Sequence, residues 1–354
     1  MNETSAYDSN YYDPTVDKIL AVVYLMLAIC VLFFNSLEAY LMIRLRNERS
    51  VTTVFTCSLT LTDISMGFMG IPFSAIAMSQ QRRWIFKDVM CNISGFFINT
   101  CTFTSLFSIC LITVNRYLAL IFPIKYQRFM TIRISQTAVA VVWAIAGLRS
   151  SVPFFFGKGY SYYETTLCSW STKDVFGEQE ILFYYLLFVV PFCLSFSAIV
   201  FCSLHMVIAL IKRSVTKREA KGGKGGDKEK EAVITTLLII FAFIGCYFCY
   251  YFAIFGYLFD IFTMWSDKNF LFLEIMMFLT IYMNSLFNPM LYIIRNTKYK
   301  KELKLIKEEL LAKYCSKKRA GKGSSIKFKR ASAVSVKSTT AKRDTLLTVA
   351  DDNL

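Results

Sequence analysis

Seven runs of this sequence are each long and apolar enough to cross a lipid bilayer. About 20 apolar residues in a helix span a hydrocarbon core of ~30 Å. A helix also satisfies its own backbone hydrogen bonds, which the bilayer core demands. The sequence therefore predicts an all-α membrane protein, a bundle of seven transmembrane helices. We place the spans near residues 19–43, 53–78, 89–120, 134–156, 181–211, 232–259 and 270–294.

Composition supports this prediction and excludes several other classes. Hydrophobic residues make up 55% of the chain, above the roughly 45–50% of ordinary soluble domains. The net charge of +15 does not indicate nucleic-acid binding, because the basic residues cluster between the apolar runs and near the end of the chain. A single histidine argues against a histidine-built metal site.

The charged segments predict an orientation. The basic ones follow the first, third, fifth and seventh spans, which the positive-inside rule makes cytoplasmic. The opposite side starts with an acidic segment and the glycosylation sequon at Asn2, which functions only outside the cytoplasm. We therefore expect a plasma-membrane protein with an extracellular N-terminus. The basic residues are Arg44, Arg46, Arg49, Lys125, Arg128, Arg133, Lys212, Arg213, Lys217, Arg218, Lys221, Lys224, Lys298, Lys300 and Lys301.

Four regions follow from these patterns. Residues 1–18 are predicted to be an extracellular tail and residues 19–296 the seven-span domain. Residues 297–315 alternate basic and apolar positions at helical spacing, which predicts an amphipathic helix on the inner membrane surface, followed by a palmitoylation candidate at Cys315. Residues 316–354 are basic and rich in Ser and Thr, which predicts a disordered cytoplasmic tail.

Polar groups inside the spans are costly and are functional candidates by default. Asp63 lies in the second span, and other spans carry polar residues at similar depth. Two interpretations stay open, a small cation site between helices or a structural hydrogen-bond cluster. The residues at similar depth are Asn35, Ser105, Asn284, Ser285 and Asn288.

Prolines and aromatic residues mark further candidates in the spans. Pro289 and Pro191 would kink the seventh and fifth helices. Such a kinked helix is either a part that moves during function or a feature that only serves packing. Aromatic residues line the outer halves, either as lipid-facing and core residues or as a ligand pocket. Two outer charges, Arg149 and Glu274, would meet a ligand, pair with a neighbour or reach the interface. Glu38 in the first span requires a partner or protonation.

With these motifs in order, the chain resembles the rhodopsin-like (class A) G-protein-coupled receptors over about residues 15–315. The resemblance is carried by Asn35, Asp63, Trp84, the triplet Asn115-Arg116-Tyr117, Trp143, Pro153, Pro191 and the run Asn288-Pro289-Met290-Leu291-Tyr292. The triplet is similar to the family's DRY motif, and the run matches its NPxxY motif. Cys91 and Cys168 are similar to the family's disulfide, although their spacing alone does not establish the bond. The triplet and the Cys168-Ser169-Trp170 run resemble the melatonin-receptor and opsin neighbourhood.

The resemblance implies roles for these residues. Arg116 would meet the C-terminus of a G-protein α subunit and Ile124 would insert beside it, with Asn115, Tyr117 and Glu229 completing the coupling site. A sodium ion would be held by Asp63, Ser105, Asn284 and Asn288. The polar network around it would extend to Asn35 and Ser285. The activation switch would comprise Leu106, Pro191, Phe243, Tyr247, Asn288, Pro289 and Tyr292.

Three departures from the family pattern bear on that mechanism. Asn115 replaces the acidic residue that restrains the arginine, so we expect raised basal activity, with Glu229 as a substitute partner for Arg116. Tyr247 stands where the family's sixth-helix tryptophan is expected, and the hinge proline after it is missing. Ile199 stands where a fifth-helix tyrosine usually meets the NPxxY tyrosine.

The ligand class is predicted mainly by exclusion. Ile98 occupies the third-helix position where amine receptors carry aspartate, which argues against a monoamine. Tyr282 occupies the position of the retinal lysine, which argues against a Schiff-base pigment. A small lipophilic molecule suits the aromatic lining, and a short peptide that contacts Glu274 is the rival. The pocket candidates are Ile98, Asn99, Thr102, Tyr184, Tyr250, Tyr251, Glu274, Phe278 and Tyr282.

The predicted function is therefore a receptor that passes an extracellular signal to a heterotrimeric G protein, with receptor kinases and arrestin as further partners at the tail. A transporter or channel is the main alternative, but the intramembrane charges are few and no internal repeat is present. An intramembrane enzyme would need catalytic constellations that the sequence lacks. No cofactor other than the sodium ion is expected.

Overall fold

Helices make up most of the chain in this computed structural model, which describes residues 14–45, 50–163, 167–169, 182–183, 185–219, 225–258 and 267–320. A short hairpin and a π-helical segment at Tyr185–Val189 complete the described elements. The helices are α1 (Pro14–Arg44), α2 (Val51–Met69), α3 (Ile71–Ser79), α4 (Asp88–Ile121), α5 (Pro123–Phe129), α6 (Ile132–Phe155), α7 (Val190–Glu219), α8 (Gly225–Leu258), α9 (Asp267–Arg295) and α10 (Thr297–Ala320).

The helices coincide with the predicted apolar runs. Within the described residues, six helical stretches have the length and hydropathy to cross a membrane, and α8 contributes a shorter apolar stretch at Val233–Phe248. The prediction of an all-α bundle with helices at the seven apolar runs is therefore confirmed.

The first helix begins earlier than its apolar run. It starts at Pro14 rather than at residue 19, and proline suits the first turn because no intrahelical partner awaits its missing N–H. Asp17 in this extra turn is buried against Arg82, which donates from Nη2 to Oδ1 over 2.9 Å. The additional turn is thus stabilised by an ion pair and not by apolar residues.

The predicted second span is divided into two helices. Helix α2 ends at Met69, and α3 begins at Ile71 after Gly70. Pro72 lies in the first turn of α3, where its missing N–H is tolerated but the α2 hydrogen-bond ladder cannot continue through it. The span predicted at 53–78 is confirmed as one candidate crossing at Val51–Ser79, and its helix is interrupted at Gly70.

Helix α4 lies at the centre of the packing. It contacts α2, α6, α7 and α8, while α1 packs against α2, α3 and α9, and α8 packs against α9. Side chains from these helices share one buried apolar cluster. We call the end of this bundle that carries Arg116 the Arg116 end, and the end that carries Cys91 the disulfide end.

The hairpin lies at the disulfide end. Strands β1 (Ser161–Tyr163) and β2 (Leu167–Ser169) pair antiparallel, with Tyr162 opposite Cys168.

Helix α10 begins directly after α9. The Asn296 side chain accepts a hydrogen bond from the backbone of Lys298 over 3.0 Å, which satisfies one of the free N–H groups of a helix start. The helix extends to Ala320, beyond the predicted boundary at residue 315. Residues 316–320 of the tail predicted at 316–354 thus belong to α10, and the rest of that tail and the side chain of Cys315 lie outside the described residues.

Candidate functional site

The disulfide end is built around one covalent bond. Cys91 in α4 is bonded to Cys168 in β2, with Cα atoms 5.3 Å apart. Both cysteines are buried with Tyr160, whose hydroxyl donates to the carbonyl of Ser150. A methyl group at Gly95 would overlap the Tyr160 ring, so a glycine is required for this close approach. The hairpin is thereby fixed against α4.

The described pocket candidates occupy the buried cluster. Ile98 of α4 and Phe278 and Tyr282 of α9 all belong to it. The Tyr282 hydroxyl is hydrogen-bonded to Ser74 at 2.8 Å, and its ring meets Tyr24 edge to face. Tyr282 therefore also anchors α9 to α1 and α3.

The remaining pocket candidates lie outside the buried cluster or outside the described residues. The Asn99 amide donates to the carbonyl of Gly95 one turn earlier, over 3.0 Å, and Thr102 is half-buried. The structure does not describe the side chains of Tyr184, Tyr250, Tyr251 and Glu274.

Arg149 of α6 is held by neighbours rather than extended to solvent. Its Nε donates to the carbonyl of Leu187 over 2.9 Å, and its guanidinium lies over the Phe103 ring at 5.0 Å from the centroid. A cation over an aromatic face is attracted to it. The Arg149 side chain thus connects α6 to α4 through Phe103 and to the π-helical segment through Leu187.

The predicted polar network joins three helices. Asn288 of α9 donates to Asp63 of α2 over 3.0 Å. Asn35 of α1 donates to the carbonyl of Ser285 over 3.0 Å and to Val31 in its own helix. All of these side chains are buried, so the network links α1, α2 and α9 across their interior.

Several oxygens of this network have no hydrogen-bond partner among the described residues. They are Ser105 Oγ, Asn284 Oδ1 and Asn288 Oδ1, all buried. Oxygen ligands are those that hard cations prefer. Together with the Asp63 carboxylate, these residues fit a small cation in chemical type, and they would supply its neutral and charged ligands.

Glu38 is a second buried acid that the sequence pattern did not explain. Its Oε2 accepts a hydrogen bond from Thr60 over 3.1 Å, and Thr60 also donates to the carbonyl of Thr56. Oε1 has no hydrogen-bond partner among the described residues. Among the described residues, the Thr60 hydroxyl is therefore the hydrogen-bond donor that compensates for the burial of Glu38.

The predicted switch residues lie mostly in the core. Leu106, Phe243 and Tyr247 belong to the buried cluster together with Ile199. The rings of Phe243 and Tyr247 lie 4.5 Å apart between centroids. Pro191 lies in the first turn of α7, directly after the π-helical segment, and Pro289 lies inside α9. Tyr292, one turn beyond Pro289, is buried.

At the Arg116 end, Asn115 is held from two sides. Its amide nitrogen donates to Thr52 Oγ1 over 3.1 Å, and its Oδ1 accepts from the Tyr126 hydroxyl over 3.0 Å. Asn115 is buried. Its side chain therefore bridges α2, α4 and α5, although no acidic charge is present at this position.

Arg116 and Tyr117 follow directly. Arg116 is half-buried, and its Nε has no hydrogen-bond partner among the described residues. The predicted partner Glu229 has a side chain outside the described part. Tyr117 turns instead towards Phe201 and His205 of α7, at 6.1 and 6.0 Å between ring centroids.

Helix α5 presents an apolar side chain next to this site. Ile124 is 85% exposed. Burial raises the pKa of Tyr126 in the same helix, while the nearby Arg116 and the bond to Asn115 act in the opposite direction. The phenol therefore stays protonated at neutral pH, as its hydrogen bond to Asn115 requires.

A polar link between α2, α4 and α6 was not predicted. Trp143 Nε1 donates to Ser58 Oγ over 3.0 Å, and Ser58 is hydrogen-bonded to Ser108 over 3.1 Å. The sequence placed Trp143 in the fourth span but offered no signal for the two serines, because single serines on apolar helices have no spacing pattern. The Asp17–Arg82 pair was also not predicted, because the two residues are 65 positions apart and share no spacing pattern.

Comparison with known proteins agrees with these features. A family model described as 7 transmembrane receptor (rhodopsin family) matches residues 34–292. Growth hormone secretagogue receptor type 1 from Homo sapiens is 26% identical over 77% of this chain and 78% of its own length. Somatostatin receptor type 2 from Mus musculus is 22% identical over 68% of this chain and 64% of its own length.

The fold is also that of a solved structure. The crystal structure of squid rhodopsin matches with a TM-score of 0.69, covering 88% of this chain and 92% of that chain at 17% identity. The family model covers more than half of the residues. The narrower resemblance to melatonin receptors and opsins stays a prediction. The chain therefore belongs to the rhodopsin-like (class A) family of G-protein-coupled receptors, multi-pass membrane proteins that are receptors and not enzymes.

Proposed function

We propose that this receptor resides in the plasma membrane with its N-terminus outside, binds a ligand at the disulfide end and activates a heterotrimeric G protein at the Arg116 end. The positive-inside distribution of Lys and Arg supports this orientation. Glycosylation at Asn2 would be consistent with it.

One observation carries the coupling proposal: an accessible apolar side chain on α5 follows a cation on α4 whose Nε lacks a hydrogen-bond partner among the described residues. Ile124 is exposed on α5, and Arg116 Nε has no partner among the described residues. An exposed apolar side chain beside a charge suits a protein partner that supplies an apolar pocket and a polar terminus. The G-protein α subunit is the partner that the family implies.

We propose a small lipophilic molecule as the ligand. Among the described pocket candidates, Ile98 and Phe278 are buried carbon surface, and the Asn99 amide nitrogen donates within its own helix. Arg149 is likewise engaged with Leu187 and Phe103. An uncharged ligand with aromatic or aliphatic surface matches such a lining better than an ionic one.

A short peptide is the second candidate. The names of two relatives, receptors for a growth-hormone secretagogue and for somatostatin, support this candidate. Glu274 would then attract a basic group of the peptide.

The experiment that tests these proposals is nucleotide exchange on a panel of purified G proteins with the receptor in lipid nanodiscs. Tissue extracts are applied after organic extraction, and in parallel after protease digestion. Stimulation that survives protease and enters the organic phase supports a lipophilic ligand, and stimulation abolished by protease supports a peptide. A Phe278→Ala variant tests whether either ligand uses the predicted pocket, with Phe241→Ala at an exposed position of α8 as control.

The tail and the sodium site complete the proposal. Receptor kinases would phosphorylate the Ser/Thr-rich tail, which would reverse its positive charge and recruit arrestin. Cys315 would anchor the end of α10 by palmitoylation. Sodium at Asp63 would favour the resting state.

A further inference from the structure

An apolar pocket of about 300 Å³ lies where α4 passes into α5. Five side chains form its apolar lining, and Lys125 completes it. Ligand pockets in proteins run from roughly 300 to 1,000 Å³, so this one suits a single aliphatic chain rather than a larger molecule. The apolar lining residues are Leu118, Phe122, Tyr126, Phe129 and Met130.

Two cations lie against the walls of this pocket. Lys125 Nζ is 5.8 Å from the centroid of the Phe122 ring, and Arg128 Cζ is 5.6 Å from that of Phe129. The two cations are three residues apart on α5, so they are neighbours on the helix surface and repel each other. Among the described residues, no carboxylate forms a salt bridge with either. An anion between them would offset this repulsion.

We propose that this pocket binds an anionic phospholipid of the cytoplasmic leaflet, with one acyl chain among the apolar side chains and the phosphate between Lys125 and Arg128. The proposal rests on the orientation given under Proposed function, which places the end of α4 at the inner membrane surface. That surface carries anionic lipids and attracts basic residues. Phe122, Ile124 and Phe129 are all exposed around the pocket, as expected for a segment at the hydrocarbon boundary.

The site is adjacent to the coupling residues. Tyr126 forms part of the pocket wall, and its hydroxyl donates to Asn115, the neighbour of Arg116 in sequence. A lipid chain packed on the Tyr126 ring would restrain α5 and preserve this hydrogen bond. The bound lipid therefore acts on G-protein coupling through Tyr126.

The test measures lipid retention on the full-length receptor by native mass spectrometry. The receptor is reconstituted in nanodiscs of phosphatidylcholine with phosphatidylserine, which occupy both leaflets, so the binding result does not depend on orientation or on coupling. A Lys125→Gln/Arg128→Gln variant removes the headgroup contacts, and Leu118→Trp fills the pocket. An Arg133→Gln/Lys300→Gln variant removes the same charge from exposed positions outside the pocket. Thermal unfolding of each variant verifies folding.

We expect the pocket charge variant to retain phosphatidylserine about tenfold more weakly than the wild type, and the control variant less than threefold more weakly. Leu118→Trp should reduce retention while leaving both cations in place. Equal losses in the pocket and control variants would overturn the proposal, since they would indicate general surface attraction. Retention of phosphatidylcholine or of a free fatty acid instead would also overturn it, as would unchanged retention in every variant.

A second readout separates this inference from the proposed function. If G-protein exchange is present but indifferent to phosphatidylserine while the lipid is retained, the site exists and its action through Tyr126 is refuted. If exchange is absent in all membranes, the proposed function fails and the retention result still decides the lipid site.

Discussion

Tyr126 donates a hydrogen bond from its hydroxyl to Asn115 Oδ1 over 3.0 Å, and this bond joins α5 to the residue before Arg116. In the family pattern an acidic residue at position 115 restrains the arginine. Here the amide is shared between Tyr126 and Thr52, and it carries no charge that would hold a guanidinium.

An Asn115→Asp variant should therefore lower basal signalling. The carboxylate would attract Arg116 while still accepting from Tyr126, and a partly exposed ion pair contributes about 0–1 kcal/mol, a decrease of up to about fivefold. The measurement is ligand-free nucleotide exchange at matched receptor levels. Unchanged exchange in Asn115→Asp would count against the missing restraint, and Tyr126→Phe serves as the control that removes only the hydrogen bond.

The ion pair between Asp17 and Arg82 should contribute to folding stability. Both side chains are buried, and removing one partner of a buried pair typically costs about 3–5 kcal/mol because the other charge is left unpaired. We expect Asp17→Asn and Arg82→Gln each to lower the thermal unfolding temperature in detergent. The double variant should be less destabilised than the sum of the single ones, and simple additivity would contradict a direct interaction.

Glu38 should depend on its hydroxyl partner. Thr60→Val keeps the shape of the side chain but removes the donor to Glu38 Oε2, and an unsatisfied buried group costs about 1–3 kcal/mol. Glu38→Gln should cost less, because the amide oxygen still accepts from Thr60. The unfolding temperatures of the two variants test this order, and a reversed order would refute it.

The fold was predictable because the length and apolarity of a span are local properties of the sequence. The break at Gly70 was not, since Pro72 indicates a kink without specifying that the helix stops and restarts. Asp17 and Arg82 are 65 residues apart and share no periodicity, so their contact depends on how α1 packs against the turn after α3. The disulfide followed from the family resemblance, because the spacing of Cys91 and Cys168 alone left the bond open.

The site residues divide in the same way. Asn115 was identified from its position in a motif, whereas its partners Tyr126 and Thr52 became apparent only from the packing of α5 and α2 against α4. Asp63 and its partner Asn288 were both identified from the sequence. Polar side chains in an apolar bundle are predictable as requiring partners, but the choice of partner depends on helix rotation.

Sodium should reduce basal signalling through Asp63. Ser105, Asn284 and Asn288 carry oxygens without a hydrogen-bond partner in the described part of the chain, and these would complete the ligand set around the carboxylate. A cation that binds only the resting state shifts the population towards it. Replacing choline chloride with sodium chloride at constant ionic strength should lower nucleotide exchange of the wild type and leave that of Asp63→Asn unaffected. Equal sodium sensitivity in both receptors would refute the site.

The central claim is that the Arg116 end activates a G protein. It is tested by basal second-messenger signalling in cells, comparing the wild type with Arg116→Ala and with Arg133→Ala as the matched control at the same end, across reporters for the main G-protein classes. The account predicts ligand-free signalling of the wild type and the control in at least one class, and its loss in Arg116→Ala at equal surface expression. Equal signalling of Arg116→Ala and the wild type, or silence of the wild type in every class, would contradict it.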